Sequence, residues 1–510
     1  MEDNEDNNQD LENLIIKDKE YLAKKRKKYL LIGTLILSII IVIIAITIVL
    51  VIVLKPKIYN EIVSQYQTKK GNENIPLHNI NNNIKFKIII GDTTFENKNN
   101  ITLEKAGKHI IIIEFENELD SLEGLFEGNH YLIEADFSKL QTEKIKSMEN
   151  LFKDCSNLTK VDFNNKTPNL QNARNMFYGC DSLTSINMQF DTSKVTRMDY
   201  MFYHCEKITN IDITSFNLEN LKNATSMFEG CFALKNIKFN DNTLTKNLED
   251  MNKMFYYCSS LECINMKIFN ENKVTNLNYV FYECGSLIEI DLSYFESKYI
   301  TELKGTFQDC KKLEKINLRH FNAPKVVIMN NMFYNCKSLT YLDLSYFNLE
   351  NLVNSSYMFS GCINLKEIKF NKNTITKNLE DMNNMFENCR SLEYINMKIF
   401  KENKLKNLNF VFSNCKSLKE IDLSYFETKF ITEAKGTFEN CMELKKINLN
   451  YFNTSKITAM DHMSEYCQSL TYLDLSYFNL ENLVDSMGMF DNCLDLKVIK
   501  FNNNTTTKNL

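Results

Sequence analysis

The sequence predicts an α/β solenoid of about fifteen repeats, each a short helix followed by a short strand, preceded by one transmembrane helix. Three observations favour this fold. A cysteine recurs at a nearly constant interval, beginning with Cys155, Cys180, Cys205, Cys231 and Cys258 and continuing to Cys493. Apolar residues before each cysteine follow steps of 3, 3, 1 and 3, which is typical of a helix face, and those after it alternate as in a strand. A fixed period of roughly 20 to 50 residues indicates stacked repeats that share one core.

Composition supports one long array and no nucleic-acid function. The 510 residues are 44% hydrophobic and 25% charged, which is enough apolar material for a large core. The formal net charge of -5 gives no basic footprint, so nucleic acid is not an expected partner.

The N-terminal residues predict a membrane anchor. Residues 1–28 are acidic and Asn-rich, which indicates a disordered tail, and they end in the basic run 24–28. Residues 29–54 are uncharged and apolar, long enough to cross a bilayer core of about 30 Å. A cleaved signal peptide is the alternative, but the run is longer than a signal core and has no small-residue cleavage site. The flanking basic charges place the N-terminus in the cytoplasm and the repeats outside the cell, or in an endomembrane lumen.

Three further regions follow the anchor. Residues 55–80 are polar and predict a stalk. Residues 81–120 contain two strand-like segments and predict a β-rich N-terminal cap, with a small separate β domain as the alternative. Residues 121–510 carry the repeats, and no C-terminal cap is visible in the sequence.

Each repeat, or rung, has one ladder position that is expected to face the core. In the rung around Cys205, residues 195–205 predict the helix and residues 208–213 the strand. The ladder consists of Asn129, Cys155, Cys180, Cys205, Cys231, Cys258, Cys284, Cys310, Cys336, Cys362, Cys389, Cys415, Cys441, Cys467 and Cys493.

A second, longer period spans five rungs. Residues 341–353 and 472–484 have the same sequence, YLDLSYFNLENLV, and TKNLEDMN occurs at both 245–252 and 376–383. The offset between the two copies is the same in both pairs, so a block of five rungs was duplicated.

We expect the ladder cysteines to be free buried thiols, since free cysteine is among the most buried residues. Disulfides between stacked rungs are the alternative for a protein outside the cell. Cys263 departs from the ladder, at a position occupied by Tyr394 in the next copy of the block, and is expected to face outward. It is either a reactive thiol or a drifted surface residue.

The candidate partner-binding surface is the strand face, meaning the outward side chains of the predicted strands. Residues that flank the inward position of a strand point the other way. This face either only keeps the strands soluble or forms a ligand groove, because solenoids expose extended surfaces. The candidate binding residues are Asp212, Asp291, Asn317, Asp343, Tyr341, Tyr394, Asp422, Asp474 and Tyr472.

The sequence offers no chemistry beyond binding. The six histidines share no rung position, and no phosphate loop, nucleophile elbow or metal-ligand spacing occurs. We therefore predict no catalytic residues, no metal, no cofactor and no enzyme activity.

The repeat unit resembles that of BspA-type leucine-rich repeat surface proteins. The resemblance rests on M-F-x-x-C-x-x-L-x-x-I-x-L-x-x-F, as in MFYNCKSLTYLDLSYF (332–347) and MFSGCINLKEIKF (358–370), and covers about residues 121–510. It implies a cell-surface protein that binds matrix proteins or other cells. The sequence departs from the pattern at Thr306, Thr437, Val280 and Val411, which replace the Met, and at Ser464, which replaces the Phe.

These observations leave two functions open. The first is a membrane-anchored surface protein whose array binds a protein or glycan partner in adhesion. The second is a structural coat or endomembrane scaffold without a specific ligand, in which arrays self-associate laterally. Glycosylation is expected on an exterior array, and sequons occur at Asn100, Asn157, Asn165, Asn223, Asn354, Asn453, Asn503 and Asn504.

Overall fold

The computed structural model describes residues 6–53, 60–76, 84–163 and 166–502. The chain divides into two compact units, Met1–Tyr59 and Asn60–Leu510.

The first unit is a single long helix, α1, Asp6–Val53. Its segment Ile15–Val49 includes a stretch that is long and apolar enough to cross a membrane, and the side chains of that segment are exposed. The helix also covers most of residues 1–28, so the prediction of a disordered tail is wrong from Asp6 onward. Glu, Lys, Leu and Ala favour the helix, and residues 6–28 contain neither Gly nor Pro to interrupt it.

The second unit begins with a β-rich region, whose sheet is continuous with the first rungs. Its strands are β1 Glu61–Thr68, β2 Glu73–Pro76, β3 Phe86–Ile90, β4 Thr93–Glu96, β5 Asn100–Leu103 and β6 Gly107–Phe115. β2 pairs with β5, and the order of the larger sheet is β4-β3-β6-β1, followed by the first three strands of the solenoid.

The stalk predicted for residues 55–80 is wrong where the structure describes it. β1 lies in the middle of the sheet and pairs antiparallel with β6 and with the first solenoid strand. Ile62, Ser64, Tyr66 and Thr68 are buried, so this polar-looking segment has the period-2 burial of a strand. Residues 55–59 and 77–83 lie outside the described part of the chain.

The rest of the unit is a β-solenoid of about 14 turns of about 26 residues. This confirms the solenoid and its period. The predicted fifteenth rung, around Cys493, is described only up to residue 502. The strands are β7 Leu132–Asp136, β8 Lys160–Phe163, β9 Ser185–Met188, β10 Asn210–Ile213, β11 Asn236–Phe239, β12 Glu289–Asp291, β13 Lys315–Asn317, β14 Tyr341–Leu344, β15 Glu367–Phe370, β16 Glu420–Asp422, β17 Lys446–Asn448, β18 Tyr472–Leu475 and β19 Val498–Phe501.

Neighbouring rungs stack in parallel and in register. Ile211 of β10 pairs with Ile237 of β11, and Leu342 of β14 pairs with Ile368 of β15. Equivalent residues of paired strands therefore lie directly above one another, and their side chains form rows along the solenoid.

The helix predicted in each rung is wrong, because no α-helix occurs within the described residues from 60 onward. The segment before each cysteine is a series of turns. Met201 N–H bonds the carbonyl of Met198, three residues earlier, whereas Phe202 N–H bonds the carbonyl of Met227 in the next rung. Tyr200 and His204 have positive φ values of 58° and 55°. These left-handed residues and inter-rung bonds remove the i→i−4 bonding that an α-helix requires.

Two rungs replace the strand with a short 3₁₀ helix, which the sequence analysis did not predict. These helices are Met266–Phe269 and Met397–Phe400. Each is preceded by an asparagine, Asn265 or Asn396, whose side chain accepts a hydrogen bond from the backbone N–H two residues later. The two helices have the same sequence, MKIF, and occupy equivalent positions in the two copies of the block, so the interruption belongs to the duplication.

The solenoid core contains a stack of phenylalanine rings beside the ladder. Rings of successive rungs from Phe126 to Phe438 lie 5.4 to 5.9 Å apart with interplanar angles of 2° to 12°. Ser464 ends this regular stack because it has no ring.

Candidate functional site

The aspartates of the strand face accept hydrogen bonds from the backbone just after the strands end. Oδ1 of Asp343 accepts a hydrogen bond from the backbone N–H of Ser345 at 2.9 Å, and Oδ1 of Asp291 accepts one from Ser293 at 2.8 Å. The same bond occurs at Asp212, Asp422, Asp474 and Asn317. This geometry is an Asx turn, in which a side chain takes the place of a backbone acceptor. The aspartates and the asparagine of the strand face therefore have a structural role.

Three of these aspartates pair with a lysine of the next rung. The carboxylate-to-Nζ distances are 4.0 Å for Asp212–Lys238, 3.1 Å for Asp343–Lys369 and 3.0 Å for Asp474–Lys500. The three pairs occupy equivalent positions, one block apart. Their charge is thus balanced within the protein, and a partner would meet neutral pairs at these points.

These contacts lower the pKa of the aspartates. At Asp343, burial acts in the opposite direction, but hydrogen bonds from Ser345 and the Lys369 ammonium outweigh it and lower the carboxyl pKa. At Asp474, hydrogen bonding from Ser476 is the main cause, and Lys500 and Tyr472 add to it, so that the pKa is well below its usual range.

The three predicted tyrosines are exposed. Tyr341, Tyr394 and Tyr472 retain 45%, 59% and 47% of their accessible surface. The hydroxyls of Tyr341 and Tyr472 donate to Oδ2 of Asp343 and Asp474, at 3.4 and 3.2 Å. These bonds orient the two rings on the face.

The structure brings only some of the predicted residues together. Tyr394 and Asp422 line one groove of about 450 Å³, which also contains Asn396, Asn448 and Tyr425. Tyr341 lines a second groove of about 480 Å³. The other candidates are distributed along the solenoid, so they form repeated small sites and not one continuous pocket.

A second row of exposed aromatic residues was missed by the sequence analysis. It lies in the turns after six of the strands, β12, β13, β14, β16, β17 and β18, next to the inward phenylalanine. The Ser-Tyr-Phe triplet that recurs in four of these turns was the signal that could have revealed it. Tyr451 and Tyr477 of adjacent rungs lie 5.2 Å apart, and His320 lies 6.0 Å from Tyr346. The row consists of Tyr294, His320, Tyr346, Tyr425, Tyr451 and Tyr477.

The turns before the cysteines carry another cluster that was not anticipated. Tyr178 stacks on Tyr203 with centroids 4.4 Å apart, and Tyr256 stacks on Tyr282 at 4.6 Å. Desolvation and nearby Glu229 raise the pKa of Tyr203 to about 12. These rings are half-buried against one another, which favours a packing role.

The ladder cysteines are free thiols and point into the core. They are buried except Cys493, which is half-buried, and each Sγ donates to a backbone carbonyl of the preceding rung at 2.9 to 3.2 Å. Burial raises the pKa of Cys231 and of Cys362 to about 12. Such thiols are poor nucleophiles, since reaction requires the thiolate. Cys263 is exposed.

Asn129 occupies the ladder position of the first rung and makes a matching bond. Its Nδ2 donates to the carbonyl of Pro76 in β2 at 3.1 Å, while its Oδ1 accepts from the backbone N–H groups of Tyr131 and Leu132. Asn and Cys are thus interchangeable here because both donate to the layer before them.

Within the residues that the structure describes, no group of three His, Cys, Asp or Glu side chains is placed to hold a metal ion. The prediction that the protein is not an enzyme stays a prediction.

The sequons differ in accessibility. Asn100, Asn157 and Asn453 are exposed. Asn223 and Asn354 are half-buried, and the side chain of each accepts a bond from the backbone two residues later. Asn165, Asn503 and Asn504 lie outside the described residues.

Comparison with known proteins gives one family and a set of solved structures. The family described as "Mycoplasma protein of unknown function, DUF285" matches residues 120–242, 162–266, 249–372 and 380–506. No curated protein matches the chain.

Two crystal structures show the kind of likeness found. A leucine rich cell surface protein from Faecalibacterium prausnitzii A2-165 is 16% identical, with 68% of this chain and 83% of that chain covered and a TM-score of 0.33. A leucine-rich repeat protein from Eubacterium ventriosum ATCC 27560 is 16% identical, with 70% and 82% covered and a TM-score of 0.24. At these TM-scores the likeness carries no argument about function.

Proposed function

Because the chain belongs to the family described as "Mycoplasma protein of unknown function, DUF285", whose own description gives no activity, we propose a function from the molecule itself. The protein is a single-pass, membrane-anchored surface protein whose solenoid binds protein or glycan partners in cell adhesion or matrix interaction. The resemblance to BspA-type surface proteins, seen in the repeat unit, supports the adhesion part of this proposal.

The charge distribution of α1 supports an anchor with the repeats outside. Five contiguous basic residues, 24–28, precede the apolar segment, and only Lys55 and Lys57 follow it closely. Basic residues are retained on the cytoplasmic side during insertion. This leaves residues 60–502 on the outer side of the membrane.

The observation that carries the binding function is the density of exposed tyrosine on the strand face and in the turns that follow the strands. Tyrosine supplies a large apolar ring and a polar hydroxyl with little rotamer entropy to lose, so it is enriched at interfaces. These rings are not buried in the core, because each has at least 40% of its surface exposed. The exposed rings are Tyr294, Tyr341, Tyr346, Tyr394, Tyr425, Tyr451, Tyr472 and Tyr477.

The orientation can be tested by labelling lysines of intact cells with a membrane-impermeant amine reagent, followed by peptide mass spectrometry. Lys238 and Lys369 of the solenoid should be labelled in intact cells. Lys17 and Lys19, on the other side of the anchor, should be labelled only after permeabilisation and serve as the internal control. Labelling of both groups only after permeabilisation would contradict a surface location.

Binding can be tested with the full chain in detergent micelles, using plates coated with cells or with matrix extract. Tyr341→Ala with Tyr472→Ala should weaken binding about tenfold or more, since hot-spot rings each contribute at least about 1 kcal/mol. Tyr357→Ala is the matched control, because Tyr357 is also exposed but lies in a turn segment before a cysteine. Charge reversal of Asp291, Asp343 or Asp422 is a poor test, because each holds an Asx turn.

Sedimentation of the purified chain distinguishes partner binding from the alternative function, a structural coat that self-associates. Reversible self-association, together with no loss of cell or matrix binding in the double tyrosine variant, would support a structural coat.

A further inference from the structure

The groove around Tyr394 forms where the 3₁₀ helix Met397–Phe400 interrupts the row of strands. Its floor is apolar and includes Ile395 and Met397. Tyr394 and Tyr425, exposed by 59% and 42%, provide aromatic walls. A volume of about 450 Å³ lies within the roughly 300 to 1,000 Å³ typical of small-molecule sites.

The polar lining is balanced in charge. Lys398 and Lys446 supply two positive charges, and Glu420 and Asp422 supply two negative ones. Lys398 Nζ lies 5.5 Å from the centre of the Tyr425 ring, which fixes one wall. A groove with this balance offers no net attraction to an anion or a cation and favours a neutral, polar ligand.

The hydrogen-bonding groups suit hydroxyls. Asp422 Oδ1 is occupied by the backbone and side chain of Ser424 and by Asn448 Nδ2, the last at 3.0 Å. None of the hydrogen bonds that the structure records for the described residues involves Asp422 Oδ2, which can therefore accept from a ligand. Asn396 uses its Oδ1 for the cap of the 3₁₀ helix, and no hydrogen bond recorded among the described residues uses its amide N–H groups. Aromatic walls with neighbouring acceptors and donors match the apolar faces and hydroxyl edges of sugar rings.

The same lining occurs once more, in the preceding copy of the block, with a single difference. Ten of its eleven residues are identical, and Cys263 replaces Tyr394. The backbone before the 3₁₀ helix is alike, with φ values of −80° at Asn265 and −84° at Asn396, and Lys267 lies 5.7 Å from the ring of Tyr294. The hydrogen bonding differs, because Asn265 Nδ2 donates to Oδ1 of Asp241 at 3.0 Å, whereas the residue equivalent to Asp241 one block later is Lys372. The chain thus contains a related site that lacks one aromatic wall and in which the amide of Asn265 is already bonded.

We propose that the Tyr394 groove binds a neutral oligosaccharide, and that the equivalent site at Cys263 does not, because it lacks the second aromatic wall and its Asn265 amide is already bonded to Asp241. This inference deepens the proposed function and rests on it, since it names the ligand class and the location. Losing a stacking ring weakens the binding of a sugar because its apolar face is left in water.

The test uses the full chain in a sugar-free detergent, because maltoside or glucoside detergents would compete for the site. Neutral tetrasaccharides of maltose, cellulose, mannan and chitin type are added separately, with a sulfated heparin tetrasaccharide as the anionic comparison. Saturation-transfer NMR detects binding, and calorimetry gives the affinity and the number of sites. At least one neutral tetrasaccharide should bind, with one site per chain.

Two exchanges then locate the site. Tyr394→Cys should weaken binding at least tenfold. Cys263→Tyr combined with Asp241→Lys, which frees the amide of Asn265, should raise the number of sites from one to two. All three positions are exposed, so neither variant should unfold, and circular dichroism checks this.

Three results would overturn the inference: no neutral tetrasaccharide binds, only the heparin tetrasaccharide binds, or binding is unaffected by both exchanges. If cell or matrix binding persists in any of these cases, the proposed function stands without this site. If neither cells, matrix nor any saccharide binds, the proposed function fails as well.

Discussion

The thiol of Cys205 donates a hydrogen bond to the backbone carbonyl of Phe177, one rung earlier, with an Sγ–O distance of 3.2 Å. This bond explains why cysteine recurs at the ladder position. A residue there must be small and apolar enough for the core and must still donate to a carbonyl that would otherwise lose a partner.

Replacing a ladder cysteine should therefore destabilise the solenoid. We expect Cys336→Ala to lower the free energy of unfolding by about 1 to 2 kcal/mol, because it leaves a small cavity and removes the donor to Phe307. Urea unfolding followed by far-ultraviolet circular dichroism is suitable, since the chain has no Trp. Cys263→Ala is the control and should change stability by less than about 0.5 kcal/mol. Equal losses at both positions would contradict a special role for the ladder.

Thiol accessibility should distinguish Cys263 from the other cysteines. In the folded chain at pH 8, a thiol-disulfide exchange reagent should react rapidly with one thiol, and Cys263→Ser should abolish that reaction. The ladder thiols are shielded, and burial raises their pKa. All fifteen cysteines should react in denaturant without a reducing agent. A smaller number would show that disulfides exist and would remove the free-thiol interpretation.

Ser464 should be a weak point of the core. Its hydroxyl is buried and has no hydrogen-bond partner among the described residues, at a position that holds Phe in neighbouring rungs. We expect Ser464→Ala to stabilise the protein by about 1 kcal/mol, because an unpaired buried hydroxyl is removed. Ser355→Ala is the matched control: this hydroxyl is equally buried but donates to the carbonyl of Asp381, so its loss should destabilise. Urea midpoints that shift in the same direction for both variants would refute the distinction.

Acid should weaken the strand face through its aspartate–lysine pairs. The folded state lowers the pKa of Asp343, so the carboxylate stays ionised to a lower pH than in the unfolded chain. The resulting stabilisation is complete above about pH 4, the unfolded value, and is lost as the pH falls through the folded-state pKa. Urea midpoints measured from pH 7 to pH 2.5 should therefore fall below about pH 4.

Asp343→Asn should reduce this dependence, since the amide keeps the Asx acceptor but not the charge. Asp291→Asn is the comparison, because the residue paired with Asp291 in the next rung is Asn317 and not a lysine. An unchanged pH profile in Asp343→Asn would show that the ion pair contributes nothing.

The strand half of each rung could be predicted from local pattern, and the turn half could not. Alternation after Cys205 indicated the buried Ile211 and Ile213 and the outward Asp212. The steps of 3, 3, 1 and 3 before the cysteine suggested a helix, since successive three-residue turns bury side chains at similar intervals. One feature of the sequence argues against that helix. The residue before the cysteine is Gly, Asn or Asp in most rungs, and these residues favour the left-handed conformation.

The candidate site was predicted only in part for a similar reason. The sequence indicated that Asp343 and Tyr341 point outward, but not that they bond each other and Lys369 of the next rung. The Tyr394 groove also depends on the 3₁₀ helix Met397–Phe400, and the residues just before this helix, Ile395 and Asn396, repeat the inward Ile and outward polar residue of the strands.

By itself, the sequence determined the apolar N-terminal segment, the repeat period, the five-rung block and which side chains of each strand face the core. These follow from composition and periodicity, which are properties of the chain alone. The tertiary structure decided where the backbone N–H groups bond. In the turns, alternate N–H groups donate to carbonyls of the next rung and not to the carbonyl four residues earlier. This is possible because the next rung is in register, so its carbonyls lie within hydrogen-bonding distance. That choice exists only when rungs stack, and it turned a predicted helix into a β-solenoid.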